Sequence, residues 1–199
     1  TMQSSKNRAL RDSWLEQRPG TIGLKLNQWQ MIHAMRESVY RHKRLRRILE
    51  NGRPEVTCAV VCPHTGLPRK VRVDWVSEID GIGIDMKSAL DGSPDVWKRE
   101  AAKRRYHVQD GYYTETCNLA QLNIDLMGFG VVEKSPPYVA ELYTLEPGAR
   151  LAGEMHYMDE LQRLAECCDT GIFPGYSKDG EVCEITLPRW ATAIVETVP

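Results

Sequence analysis

The run RKVRVDWVSEIDGIGIDMKS, residues 69–88, restricts the possible folds of this chain more than any other. Apolar and polar residues alternate with period two through 69–76, the pattern of a strand with one buried face. The segment EIDG then turns the chain into a second apolar run at 82–86. Upstream, EVTCAVVC (55–62) is strand-like and PHTGLP supplies a turn, so three successive antiparallel strands are expected. Into this sheet the sequence sets two aspartates and a lysine. Residues 85 and 87 share a parity, which projects Asp85 and Lys87 from one face. Pairing of 69–76 with 82–87 brings Asp74 close to Asp85 there, and Glu55 opens the preceding strand where it can join them.

Converging carboxylates repel one another unless a cation lies between them. Hard oxygen donors with room for water suit Mg²⁺, with Mn²⁺ able to substitute. Lys87 can then stabilise charge developing on a phosphoryl group, while a bound cation makes water acidic enough to supply a nucleophile. A D-x-K triplet alone is satisfied by a surface salt bridge between Asp85 and Lys87. Asp74, a turn, D-x-K, an upstream glutamate and a basic helix downstream form a more specific combination.

The remaining elements follow from caps and periodicity. Residues 27–49 are expected to form one helix, with Asn27 as cap, Gln30 at the capping-box position, and Trp29, Ile32, Met35 and Val39 at helical spacing. Ser93-Pro94 starts another, running through Trp97, Ala101 and His107 to about Asn118. Two strands at 129–133 and 138–145 and a helix at about 147–168 complete the pattern. With 199 residues, 42% of them hydrophobic, the chain is sized for one domain with a real core. No apolar run approaches the roughly 18 residues of a membrane span, and the first residues lack the apolar block of a secretory signal, so a soluble cytoplasmic protein is expected. The six cysteines do not make a secreted disulfide framework. Cys58, Cys62 and His64 lack the second ligand pair of a structural zinc site, and no four cysteines suit an iron-sulfur cluster.

The central block resembles a known family. Asp74, then Asp85-Met86-Lys87 eleven residues later, then RRYHVQDGYY, resemble the PD-(D/E)XK nuclease superfamily, and within it the RecE-type phage recombination exonucleases (exonuclease VIII). NGRPEVT, HTGLPRKVRVD, EKSPPYVAELY and the closing ITLPRW extend the resemblance over most of the chain. It implies an α/β fold with a central mixed sheet flanked by helices. It also implies metal ligation by Asp74, Asp85 and the Met86 main-chain carbonyl. By the same resemblance Lys87 is catalytic, Glu55 is the upstream acid, and Gln109 and Tyr113 form the family's Gln-x-x-x-Tyr helix motif. The family's metal-binding histidine lies upstream of the matched stretch and falls on neither His33 nor His42, so a single domain over 1–199 lacking an N-terminal segment of a longer protein is expected.

The implied activity is Mg²⁺-dependent, 5′-to-3′ digestion of linear double-stranded DNA from its ends, leaving 3′ single strands for a RecT-like annealing protein in recombination or repair. The implied setting is a phage or prophage gene in a bacterial host. An endonuclease or repair nuclease of the same fold, or a catalytically silent DNA-binding or assembly module, are the alternatives. Charge bears on DNA: residues 1–105 carry 21 Lys/Arg against 12 Asp/Glu, and residues 106–199 carry 5 against 15. Two clusters, RHKRLRR with Arg44 and Arg47, and KREAAKRR with Lys98, Lys103, Arg104 and Arg105, are candidates for tracking phosphates. A basic half facing DNA and an acidic half meeting a neighbour fit the ring-shaped homo-oligomer, most simply a tetramer, that the resemblance implies.

Overall fold

A computed structural model describes residues 2–177 and 180–192. Five strands form one mixed sheet in the order β1 (Arg53–Val61), β2 (Pro68–Ser77), β3 (Ile82–Ala89), β4 (Leu126–Glu133), β5 (Ala140–Thr144). The first three are antiparallel neighbours, as the alternating runs and their turns require. β3 and β4 are parallel, so the chain must cross over between them. It does so through α4 (Pro94–Lys103) and α5 (Tyr106–Leu119). β5 returns antiparallel to β4. No helix among the described residues is long and apolar enough to cross a membrane.

Helices cover both faces. Cys58, Val71, Val73, Val76 and Met127 pack against Cys117 of α5 on one side, while Phe129 and Val131 pack against Trp97 of α4. On the other, Ile82, Ile84 and Met86 meet Ile48, and Val132 and Ala140 meet Leu45. Those contacts come from α3 (Lys43–Glu50), which follows α2 (Leu26–Arg41). Being buried on both faces, β4 is an almost unbroken apolar run, LMGFGVV, instead of an alternation. Its Gly130 lets α3 come close: a Cβ there would lie 2.5 Å from Met86 Sδ and 3.3 Å from Leu45 Cδ2.

Two expected helices each prove to be two. His42 has extended backbone; its N–H donates to the carbonyls of Ser38 and Val39, and its Nδ1 accepts the Leu45 N–H at 3.2 Å. It therefore ends α2 and caps α3. The start also moves: Lys25 is the N-cap, and Gln28 Oε1, not Gln30, accepts its N–H at 2.9 Å. The second long helix breaks at Arg104-Arg105, where Arg105 is left-handed at φ 56°. A helix not foreseen, α1 (Met2–Glu16), precedes α2; α6 (Pro147–Thr170) packs on α5, and a short α7 (Arg189–Thr192) follows.

Candidate active site

The centre of interest is the gap where β3 separates from β2. Only Trp75, Val76 and Ser77 pair with β3, opposite Ile84, Gly83 and Ile82. Beyond Ile84, β3 stays with β4 to Ala89 but leaves β2. The Met86 N–H, which loses a ladder partner there, donates to Asp74 Oδ2 at 2.8 Å. An extended residue directs N–H and C=O to the same edge, so the Met86 carbonyl faces the gap too.

The pleat of β2 is irregular at this point. Val71, Val73 and Val76 all lie in the cluster facing α5, whereas Trp75 packs with Ile48 on the opposite face. The alternation thus slips by one at Asp74. Across the ladder, between the pairs Pro54–Trp75 and Val56–Val73, Glu55 takes φ 56°. A non-glycine residue in that region carries strain, which clusters at functional sites. The slip keeps Asp74 on the α5 side with Asp85.

Asp85 is nearly buried and gripped from two directions. Gln109 Nε2 of α5 donates to its Oδ1 at 2.7 Å. Lys87 Nζ lies 2.5 Å from Oδ2, an ion pair that leaves this buried oxygen without a hydrogen bond. The Lys87 ammonium sits 4.6 Å over the Tyr106 ring, which stacks on Phe129 at 5.2 Å. Burial pushes the Asp74 carboxyl above the usual carboxylate range; the Met86 N–H pulls it back, and the charges of Asp85 and Glu55 push it up again. The Tyr113 phenol, one helical turn beyond Gln109, is likewise raised by burial and then by Asp85, so it remains a donor at neutral pH.

The structure therefore brings together Asp74, Asp85, Lys87, Gln109, Tyr113 and the Met86 main chain. Glu55 stays at the rim, its exposed carboxylate taken by Arg72. Consistent with that diversion, no group of three or more His, Cys, Asp or Glu side chains among the described residues is arranged to hold a metal ion. Tyr106 was missed from sequence, although its i, i+3 spacing from Gln109 places it on the same helical face.

The cationic clusters divide. Arg44 and Arg47 belong to α3, in the layer across the sheet from Asp85, and Arg47 Nε pairs with Asp80 at 3.0 Å. Lys98, Lys103, Arg104 and Arg105 lie at the α4–α5 corner on the Asp85 side. There Lys98 pairs with Asp95 at 2.5 Å, Arg104 with Glu100 at 3.0 Å and Arg105 with Glu160 at 2.7 Å. Lys103 is exposed. Cys58, considered above as a zinc ligand, points into the core with its sulfur 3.8 Å from that of Cys117.

Comparison with known proteins bears on the fold. The crystal structure of a protein from Eubacterium rectale described as "Putative exonuclease" superposes with a TM-score of 0.57 at 13% identity, over 94% of this chain and 74% of that one. Proteins of curated function give no sequence match. The profile of a family described as a PDDEXK-like domain of unknown function (DUF3799) matches residues 6–186. The chain is a member of that PDDEXK-like family, with the mixed sheet and flanking helices of the PD-(D/E)XK nuclease fold.

Proposed function

We propose that the protein is a metal-dependent exodeoxyribonuclease of the RecE type, degrading linear duplex DNA 5′-to-3′. The reading rests above all on the convergence of Asp74, Asp85 and Lys87 in the gap between β2 and β3. The donors fit a hard divalent cation such as Mg²⁺ or Mn²⁺: two carboxylates and a main-chain carbonyl, with Asp85 Oδ2 buried and lacking a hydrogen bond. Asp74, Asp85 and the Met86 carbonyl would hold it. A cation bound there supplies positive charge against the phosphate and lowers the pKa of water.

The chain's own groups do the rest. Gln109 fixes one oxygen of Asp85, which turns the other toward the gap. Lys87, steadied above Tyr106, offsets charge developing on the scissile phosphate. Tyr113 donates its hydroxyl proton to a phosphate oxygen or to the attacking water. Lys98, Lys103, Arg104 and Arg105 exchange exposed carboxylates for DNA phosphates, contacts that read no sequence and weaken with salt. Arg44 and Arg47, across the sheet, serve a different stretch of surface. The 3′ single strand left behind suits a RecT-like annealing partner in recombination.

Matched linear and closed-circular duplexes, labelled at one end or the other, test the assignment. Release of 5′-terminal nucleotides from linear DNA alone, on addition of Mg²⁺, is the expected result. Cuts in the circle would make the protein an endonuclease of this fold, and metal-dependent binding without any cleavage would make it a silent DNA-binding module.

A further inference from the structure

Next to the active site, α4, the end of β5 and the start of α6 enclose a cavity of about 390 Å³. Trp97 and Tyr143 form an aromatic wall, their rings within 19° of parallel and 6.1 Å apart. Tyr143 is fixed by its hydroxyl, which donates to the Gly92 carbonyl at 2.6 Å. Only alanine side chains, Ala101, Ala102 and Ala149, project from the adjoining helices into the lining, which keeps the space open. Trp97 also contacts Tyr106 at 5.5 Å between centroids, and the Tyr106 ring carries Lys87 Nζ. The wall is thus one aromatic layer away from the catalytic lysine.

Polar groups around this cavity are few and complementary in kind. The Trp97 indole N–H is buried without a hydrogen-bond partner among the described residues, a donor lacking an acceptor. Glu146, exposed at the start of α6, offers a carboxylate acceptor. Lys98 brings a cation whose exposed pairing with Asp95 is readily exchanged. An aromatic wall, one donor, one acceptor and a cation, beside a site that takes a polynucleotide strand, match a single nucleotide.

We infer that this cavity is a nucleobase subsite, holding one unpaired nucleotide of the strand whose neighbouring phosphodiester lies at Lys87. The base lies on the Trp97–Tyr143 wall, with a ring acceptor toward the indole N–H and an exocyclic amine toward Glu146; its backbone phosphate lies at Lys98. Substrate class at this subsite is therefore single-stranded, so a duplex end must open by at least one pair to fill it. The inference rests on the nuclease reading of the neighbouring site.

Binding without divalent metal, so that nothing is cleaved, separates the two ideas. The probes are a short single-stranded oligonucleotide with a 5′-terminal deoxycytidine and the same strand with an abasic residue there. The wild-type protein should bind the first about tenfold more tightly, the scale of one base–aromatic stack. Ala149→Leu and Ala102→Leu fill the cavity from positions that are not fully buried, and each should bring that ratio close to one. Equal affinities of the wild-type protein for the two strands, or a preference that survives in a folded filling variant, would overturn the subsite. Either outcome leaves the assignment of Asp85 to be decided by cleavage alone.

Discussion

Asp85 is held by Gln109 on one oxygen and by Lys87 on the other, so each neighbour has a separable role. Lys87→Ala removes a charge that matters most as the phosphate becomes more negative. It should lower kcat by about 100-fold or more while leaving divalent-metal affinity, followed by calorimetry, within a few-fold of wild type. Gln109→Glu sets a carboxylate against Asp85 Oδ1, where a donor now sits. Its activity should fall while metal affinity rises or holds, and Gln109→Ala should lose activity without that gain. Equal losses of metal affinity in Lys87→Ala and Gln109→Glu would show that the two side chains hold Asp85 in the same way.

At the scale of elements, the site depends on how closely α5 is held to the sheet and to α6. Asp110, fully buried beside Gln109, accepts the Met127 N–H at 2.9 Å and the Thr114 hydroxyl at 3.1 Å, and its other oxygen lies 3.3 Å from Arg150 Nε. Gly153 of α6 sits against the His107 carbonyl, where an added Cβ would come within 1.9 Å of the oxygen. Gly153→Ala should therefore cost about 3 kcal/mol in chemical denaturation and shift α5, whereas Gly148→Ala, in open space, should change stability by less than about 0.5 kcal/mol. Sequence periodicity revealed all five strands and most of the helical residues, because apolar alternation and Pro-led helix starts are local signals. It could not reveal the breaks at His42 and Arg105, which arise from backbone conformations that tertiary packing selects. Nor could it show the slipped pleat at Asp74. Regular parity put Asp74 beside Asp85, yet the structure achieves this through an irregularity opposite the left-handed Glu55. The diversion of Glu55 to Arg72 was equally hidden, since residues 55 and 72 meet only once the register is known.

On the scale of the whole molecule, stability and assembly follow from charge. Arg69 is almost fully buried, pairs with Glu115 at 2.5 Å and lies 4.5 Å over the Tyr112 ring. Burial works against the Glu115 charge, but hydrogen bonds from Tyr157 and Arg69 outweigh it and hold this carboxyl below its ordinary value. A depressed folded-state pKa gives stability that is present above the unfolded pKa, about 4.3, and lost as pH falls through the folded value. Glu115→Gln should be about 3 kcal/mol less stable at pH 7, with the deficit shrinking below about pH 4 in urea titrations. The same charge division, with most Lys and Arg before residue 106, underlies our proposal of a ring-shaped homo-oligomer, most simply a tetramer, whose basic side lines a DNA channel. Leu10, Trp14, Ile22 and Trp29, exposed along the first helices and their connection, would be covered in it, and light scattering should give a mass several times that of one chain. The most direct test of the account is nucleotide release from end-labelled linear duplex, with and without Mg²⁺, by the wild-type protein and Asp85→Ala. Mg²⁺-dependent release by the wild type, and none by a variant whose circular dichroism is unaltered, is the predicted result; undiminished release by Asp85→Ala would contradict it.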